Sequence, residues 1–259
     1  MTVSTPRVAL PGPVSSSLGP EEIAVPPPSP VIHDRSVAQL AHDVVVEPWE
    51  AAKPHLRGWL HAGVSPLVLA AGIVLVCLAP TPASRWAAAV YSVAGITLFA
   101  TSALYNVGTW GPRGHAILQR IDHGNIYLII AGTYTPVATL ALAGWKEDLV
   151  VIGAWVAATL GVAFRVLWIG APRYLYTGLY IALGWSIAPF MGDIFAASTA
   201  VGTLTLAGGL LYTVGGVVYA VKRPDPRPTW FGFHEIFHAF TIGAWACQYI
   251  AISVLTYRA

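Results

Sequence analysis

Charge is what this chain has least of. Only 10% of its 259 residues are Asp, Glu, Lys or Arg, whereas 56% are hydrophobic. Soluble domains carry about a quarter charged residues, so the balance excludes an ordinary water-facing surface. The net charge of +2 is too small for a protein that tracks a phosphate backbone, and no nucleic-acid partner is expected. Cysteine is almost missing as well. Cys77 and Cys247 lie in apolar stretches at a spacing that suits neither a disulfide framework nor a zinc finger, which leaves apolar packing as their role. The period-two alternation of membrane β-strands is also lacking, which excludes a barrel.

Long apolar runs are what the chain has instead. Seven of them, roughly 60–79, 86–107, 123–143, 149–169, 174–195, 199–221 and 233–255, approach or exceed the ~20 residues a helix needs to cross a bilayer. Backbone polar groups in lipid must be satisfied within the segment, so each run is expected to be helical. The predicted fold is an all-α membrane protein, a bundle of seven transmembrane helices.

Lys and Arg placement orients the bundle. Lys53, Arg57, Arg113, Arg120, Arg173, Lys222, Arg223 and Arg227 fall on the side of the N-terminus; Arg85, Lys146 and Arg258 fall on the other. The N-terminus is therefore predicted to be cytoplasmic and the C-terminus outside. Residues 1–55 read as a disordered cytoplasmic tail, rich in proline (Pro11, Pro13, Pro20, Pro26, Pro27, Pro28, Pro30) and without an apolar core of signal-peptide type. A short amphipathic stretch over 37–46 suits the membrane surface. Residues 56–259 form the membrane domain, and 222–228, with three prolines, is a stiff connector.

Polar residues inside spans are expensive and usually have a task. By depth they converge. His61 opens the first span, Ser102 and Asn106 end the second one turn apart, Asp122 and His123 open the third, and His234 and His238 open the seventh. All belong to the predicted cytoplasmic side. His234 and His238, four residues apart, share one helix face and can reach a single ion. Nearby, Arg165 is expected to snorkel outward, His123 to point away from Asp122, and His115 to sit in a solvated loop. Asp122 also suits a helix N-cap.

These residues carry a family resemblance. Ser102-Ala-Leu-Tyr-Asn106, then Ile121-Asp122-His123 leading into Ala131-Gly-Thr-Tyr-Thr-Pro136, then His234-Glu-Ile-Phe-His238 resemble the bacterial hemolysin III family, related to the adiponectin and progestin receptors and more distantly to alkaline ceramidases. The resemblance runs from about Lys53 to Tyr257. It implies a multi-pass protein of the bacterial inner membrane whose partners are membrane lipids. It further implies a zinc ion held by His234 and His238, with Asp122 ordering a water, Ser102 supporting it from behind, and His61 matching the histidine of the first span. At position 106 the pattern expects histidine and this chain has asparagine. An amide oxygen is a poor zinc ligand, which leaves several alternatives open: a weakened site, a metal bridged to Asn106 through a water, His61, His115 or His123 as third ligand, or a metal-free relic of the family's site.

His234-Glu235-x-x-His238 also matches the metalloprotease motif with Glu235 as general base, but the third downstream ligand is missing. Three function classes follow. The first is a zinc-dependent, ceramidase-like hydrolase of a lipid amide or ester, with Asp122 and Ser102 at the reacting centre. The second is a non-catalytic sensor or regulator of membrane lipid in which the metal braces helices. The third, pore formation as in a hemolysin, is disfavoured because the polar residues gather at one end.

Overall fold

The computed structural model describes residues 54–259; the expectations for the tail and for the stretch over 37–46 lie outside them. Among the described residues the structure is helical, with one isolated β-bridge between Arg227 and Phe231. In chain order the helices are α1 (Trp59–Leu78), α2 (Pro82–Val107), α3 (Pro112–Ala141), α4 (Trp145–Leu167), α5 (Arg173–Gly184), α6 (Met191–Ala197), α7 (Thr199–Val221) and α8 (Phe233–Arg258). A 3₁₀ turn, Ala188–Phe190, precedes α6.

Local chemistry places the boundaries. Thr81 and Ser84 cap α2 reciprocally, each side chain meeting the other's backbone N–H, with Pro82 in the first turn where its missing N–H costs nothing. Pro112 starts α3 in the same way. Ser198 caps α7 through the Val201 N–H.

Among the described residues, six segments are long and apolar enough to cross a membrane: Trp59–Leu78, Pro82–Val107, Trp145–Leu167, Arg173–Ala197, Thr199–Val221 and Phe233–Arg258. The thirty-residue α3 is not one of the six. Its first half carries Arg113, His115, Arg120, Asp122 and His123, which dilute its apolar character.

Three sequence expectations need correction here. The third helix begins at Pro112, so Asp122 lies ten residues inside it and is not an N-cap, and His115 is helical rather than in a loop. The fifth span is broken: α5 stops at Gly184, and the chain turns through Pro189 before α6. Proline lacks the N–H that would continue the ladder.

Consecutive helices pack side by side: α1 on α2, α2 on α3, α3 on α4 and α7 on α8. α8 also touches α1, α2 and α3, and α3 also touches α5 and α6, so these two helices hold the centre of the bundle. The core follows α2, α3 and α8, with Tyr91, Phe99, Val137, Ala244 and Ile252 almost fully buried. Apolar side chains such as Leu67, Ile73, Leu160 and Leu167 cover the outside, as a lipid-facing surface requires. Cys77 belongs to that outer face, contrary to the expected buried packing, while Cys247 is half-buried. At the end opposite the histidines, Lys146 and Asp193 form an ion pair at 2.8 Å.

Candidate functional site

The approach to α1 sets one wall of the site. His55 and Leu56 donate their backbone N–H groups to the carbonyls of Thr229 and Trp230, at 2.9 and 3.3 Å, and the His55 ring stacks on Trp230 at 4.4 Å. Gly58 then turns the chain with φ at +79°, a region other residues avoid. A Cβ at Gly58 would stand 2.7 Å from that of Asn106, so the glycine allows both the turn and the close approach. Arg57 is thereby delivered to Asn106.

A polar relay continues from there. Arg57 Nε donates to Asn106 Oδ1 at 3.3 Å, and Asn106 Nδ2 donates to the Ser102 carbonyl at 2.9 Å and to Ser102 Oγ at 3.3 Å. The Ser102 side chain in turn faces Asp122 on α3, and both line the same cavity. Burial pushes the Arg57 pKa down from its ordinary value, and the nearby Glu235 carboxylate opposes that shift by favouring the charged form. Asn106 is thus engaged at both ends of its amide.

Three histidines form the second wall. His61 and His238 are each 2% exposed and His234 8%. The His61 ring stacks on His238 with centroids 3.9 Å apart and planes 12° from parallel, and His234 meets His238 at 4.5 Å and 67°. Phe99 closes on His61 edge-on at 4.8 Å. Four of their six ring nitrogens, both of His61 together with His234 Nε2 and His238 Nδ1, are buried and have no hydrogen-bond partner. Buried polar atoms are nearly always satisfied, so orphaned imidazole nitrogens gathered in one place suit a Lewis acid as partner. The donors have not converged. Among the described residues no group of three His, Cys, Asp or Glu side chains stands close enough to hold a metal. Imidazoles sharing a zinc at about 2.0–2.1 Å per nitrogen have centroids roughly 5 Å apart. The stacked pair is closer than that, and its rings must turn to share an ion.

The remaining candidates have other partners, although His123 lines the same space as the three histidines. An Arg165 guanidinium nitrogen lies 2.5 Å from His123 Nδ1, taking that nitrogen out of the donor set. Arg165 does not snorkel: it is 1% exposed and lies 4.3 Å over the Tyr176 ring. His115 Nε2 pairs with the Tyr105 hydroxyl at 3.0 Å. Glu235 turns its Oε2 to the Gly232 N–H at 2.7 Å, capping α8, while its Oε1 is buried without a partner.

Between α3, α5, α7 and α8 runs a cavity of about 140 Å³. His61, Ser102, Asp122, His234 and His238 line it at one end, and apolar residues such as Ile187 and Met191 line it far from the histidines. The expected residues Ser102, Asp122, His61, His234 and His238 therefore share one cavity. Asn106 stands behind them and is not among its lining residues.

The model of the haemolysin-III related family matches residues 49–249. The chain belongs to that family. Two curated relatives agree. The "Hemolysin-3 homolog" of Bacillus subtilis (strain 168) is 28% identical over 190 residues, covering 72% of this chain and 86% of its own length. The "Hemolysin-3" of Bacillus cereus is 27% identical over 191 residues, covering 72% and 84%. A haemolysin-III related, multi-pass membrane protein accounts for both the apolar helices and the matched segment.

Sequence reasoning missed Arg57, which entered only as one positive charge among several. Its proximity to Asn106 depends on the Gly58 turn and the contacts of residues 55–56 with 229–230. A Gly between two aromatic-flanked segments hints at a turn but names no partner.

Proposed function

We propose that this protein is a seven-span protein of the bacterial inner membrane that hydrolyses an amide or ester bond of a membrane lipid, with zinc at the polar end of its cavity. The seventh span is α3, whose apolar second half crosses the bilayer while its polar first half lines the site. The N-terminus is cytoplasmic and the C-terminus outside, so the site lies under the inner leaflet.

The observation that carries this reading is the set of orphaned imidazole nitrogens of His61, His234 and His238 beside Asp122 in one cavity. These three residues hold the metal, with His61 supplying the donor that position 106 lacks. Zinc, when bound, supplies Lewis acidity that makes a water nucleophilic near neutral pH. Asp122 would orient that water and take its proton, with the Ser102 side chain beside the carboxylate to hold it in place. The apolar part of the cavity sheathes a hydrocarbon chain and keeps bulk water away from it.

The test is twofold: zinc content of detergent-purified protein, and release of fatty acid from amide and ester lipids. Zinc with turnover that Asp122→Asn abolishes supports hydrolysis. Zinc without turnover on either lipid class supports a sensor of membrane lipid with a bracing metal. One observation favours that second reading, the Asn106 oxygen committed to Arg57 where the family pattern expects a histidine.

A further inference from the structure

Away from the histidines, α7 and α8 carry a second set of buried polar groups. On α8 the residues facing the interior follow a four-three-four-three spacing: His234, His238, Thr241, Trp245 and Gln248. Gln248 is ten residues beyond His238, roughly 15 Å along the axis at 1.5 Å per residue. It is 5% exposed. Its Nε2 donates to the Thr205 carbonyl on α7 at 3.1 Å, and its Oε1 is buried without a partner. The Thr205 hydroxyl, on a residue 7% exposed, is also without a partner, as is the Tyr212 hydroxyl two turns along α7. Gln248, Thr205 and Tyr212 all line the same cavity as the histidines. Gly208 makes room, since a Cβ there would meet the Gln248 amide at 2.6 Å.

Three hydrogen-bonding groups left open in one apolar cavity are costly unless a ligand meets them. We propose that Gln248, Thr205 and Tyr212 form a deep subsite for a neutral hydroxyl or amide N–H borne by a lipid chain. The chemistry of the atoms fixes the class. Gln248 Oε1 can only accept, so the ligand group must donate, which excludes a plain hydrocarbon, an ether or an ester. Asp122 and the histidines, the charge-bearing lining residues, belong to the other end of the cavity, so nothing at the deep end compensates a ligand charge. The ligand is therefore an elongated lipid with its head at the histidines and a hydroxyl or amide part-way along its chain. The inference rests on the reading of the cavity as a lipid site and names what that lipid carries.

The experiment compares binding of stearate and its mid-chain hydroxylated analogue to the full-length, metal-free protein in detergent. The hydroxylated chain should bind at least about tenfold tighter, because a site built for a hydroxyl rejects the analogue that lacks it. Gln248→Leu should bring the two affinities together. Thr205→Val, a smaller change, should narrow the gap and checks the result if the first variant folds poorly. Equal binding of both chains to the unaltered protein overturns the subsite alone, as does a preference that survives both substitutions. An outcome in which neither chain binds overturns the subsite and the lipid reading of the cavity together. Zinc content enters neither comparison.

Discussion

Arg57 donates through Nε to the side-chain oxygen of Asn106, and that single contact joins the entry to α1 with the end of α2. The asparagine passes the connection on through its amide N–H groups to Ser102. A neutral residue with both an acceptor and a donor is what this bridge requires. Histidine at the same place would offer one nitrogen to a metal and present Arg57 with a ring.

Asn106→His should tighten zinc by at least about tenfold, since imidazole is a far better ligand than an amide. Adding Arg57→Ala should increase the gain, because it removes a positive charge beside the ion. Competition with a chelator of known affinity measures both. No change in either variant would mean that position 106 does not reach the metal.

His61→Ala, His234→Ala and His238→Ala should each lower zinc content well below the unaltered protein, since each removes one of three strong donors. Elemental analysis after gel filtration reads the loss. A His61 variant that retains full zinc would return the third position to another residue. His123→Ala should leave the metal unaffected, because its Nδ1 is engaged by Arg165.

Glu235 separates two readings of the same motif. Glu235→Gln retains an oxygen for the Gly232 N–H, and both stability and any hydrolysis should persist. Glu235→Ala should cost about 1 kcal/mol through the lost cap, measured by thermal unfolding in detergent. Loss of turnover in the Gln variant with stability intact would favour the metalloprotease-like role.

Gly58→Ala should destabilise the fold by about 1–3 kcal/mol, because the left-handed turn and the contact with Asn106 both reject a side chain. A lowered melting temperature together with weakened zinc would show that the turn also positions the site.

A reporter fused after Ala259 should be active only outside, and one placed within residues 222–228 only inside. The reverse pattern would move the histidines to the outer leaflet.

The helical membrane architecture was legible in the apolar runs because a water-soluble core rarely demands so many of that length. The convergence of Ser102, Asp122, His61, His234 and His238 was legible too, since span order and depth fix which helix ends meet. The interior break near Pro189 was less so: seven residues of α6 continue the apolar pattern, and hydropathy does not register a turn made within it. The start of α3 at Pro112 was hidden for the opposite reason, a helix that continues where its residues turn polar. Arg165 was misplaced because snorkelling assumes an outward path, whereas Tyr176 and His123 offer its guanidinium partners inside. Relations across the chain, such as Arg57 with Asn106, arise from turns that periodicity does not encode.

The residues from His55 to Gly58 touch the loop ahead of the last helix on one side and the end of the second helix on the other. Three stations of the chain, otherwise remote in sequence, share this one hinge-pin. His61 follows it by a single turn, and His234 follows the Trp230 contact at a similar remove. The start of α1, and with it the height of His61, is therefore set by the same short stretch of chain that fixes the approach to His234.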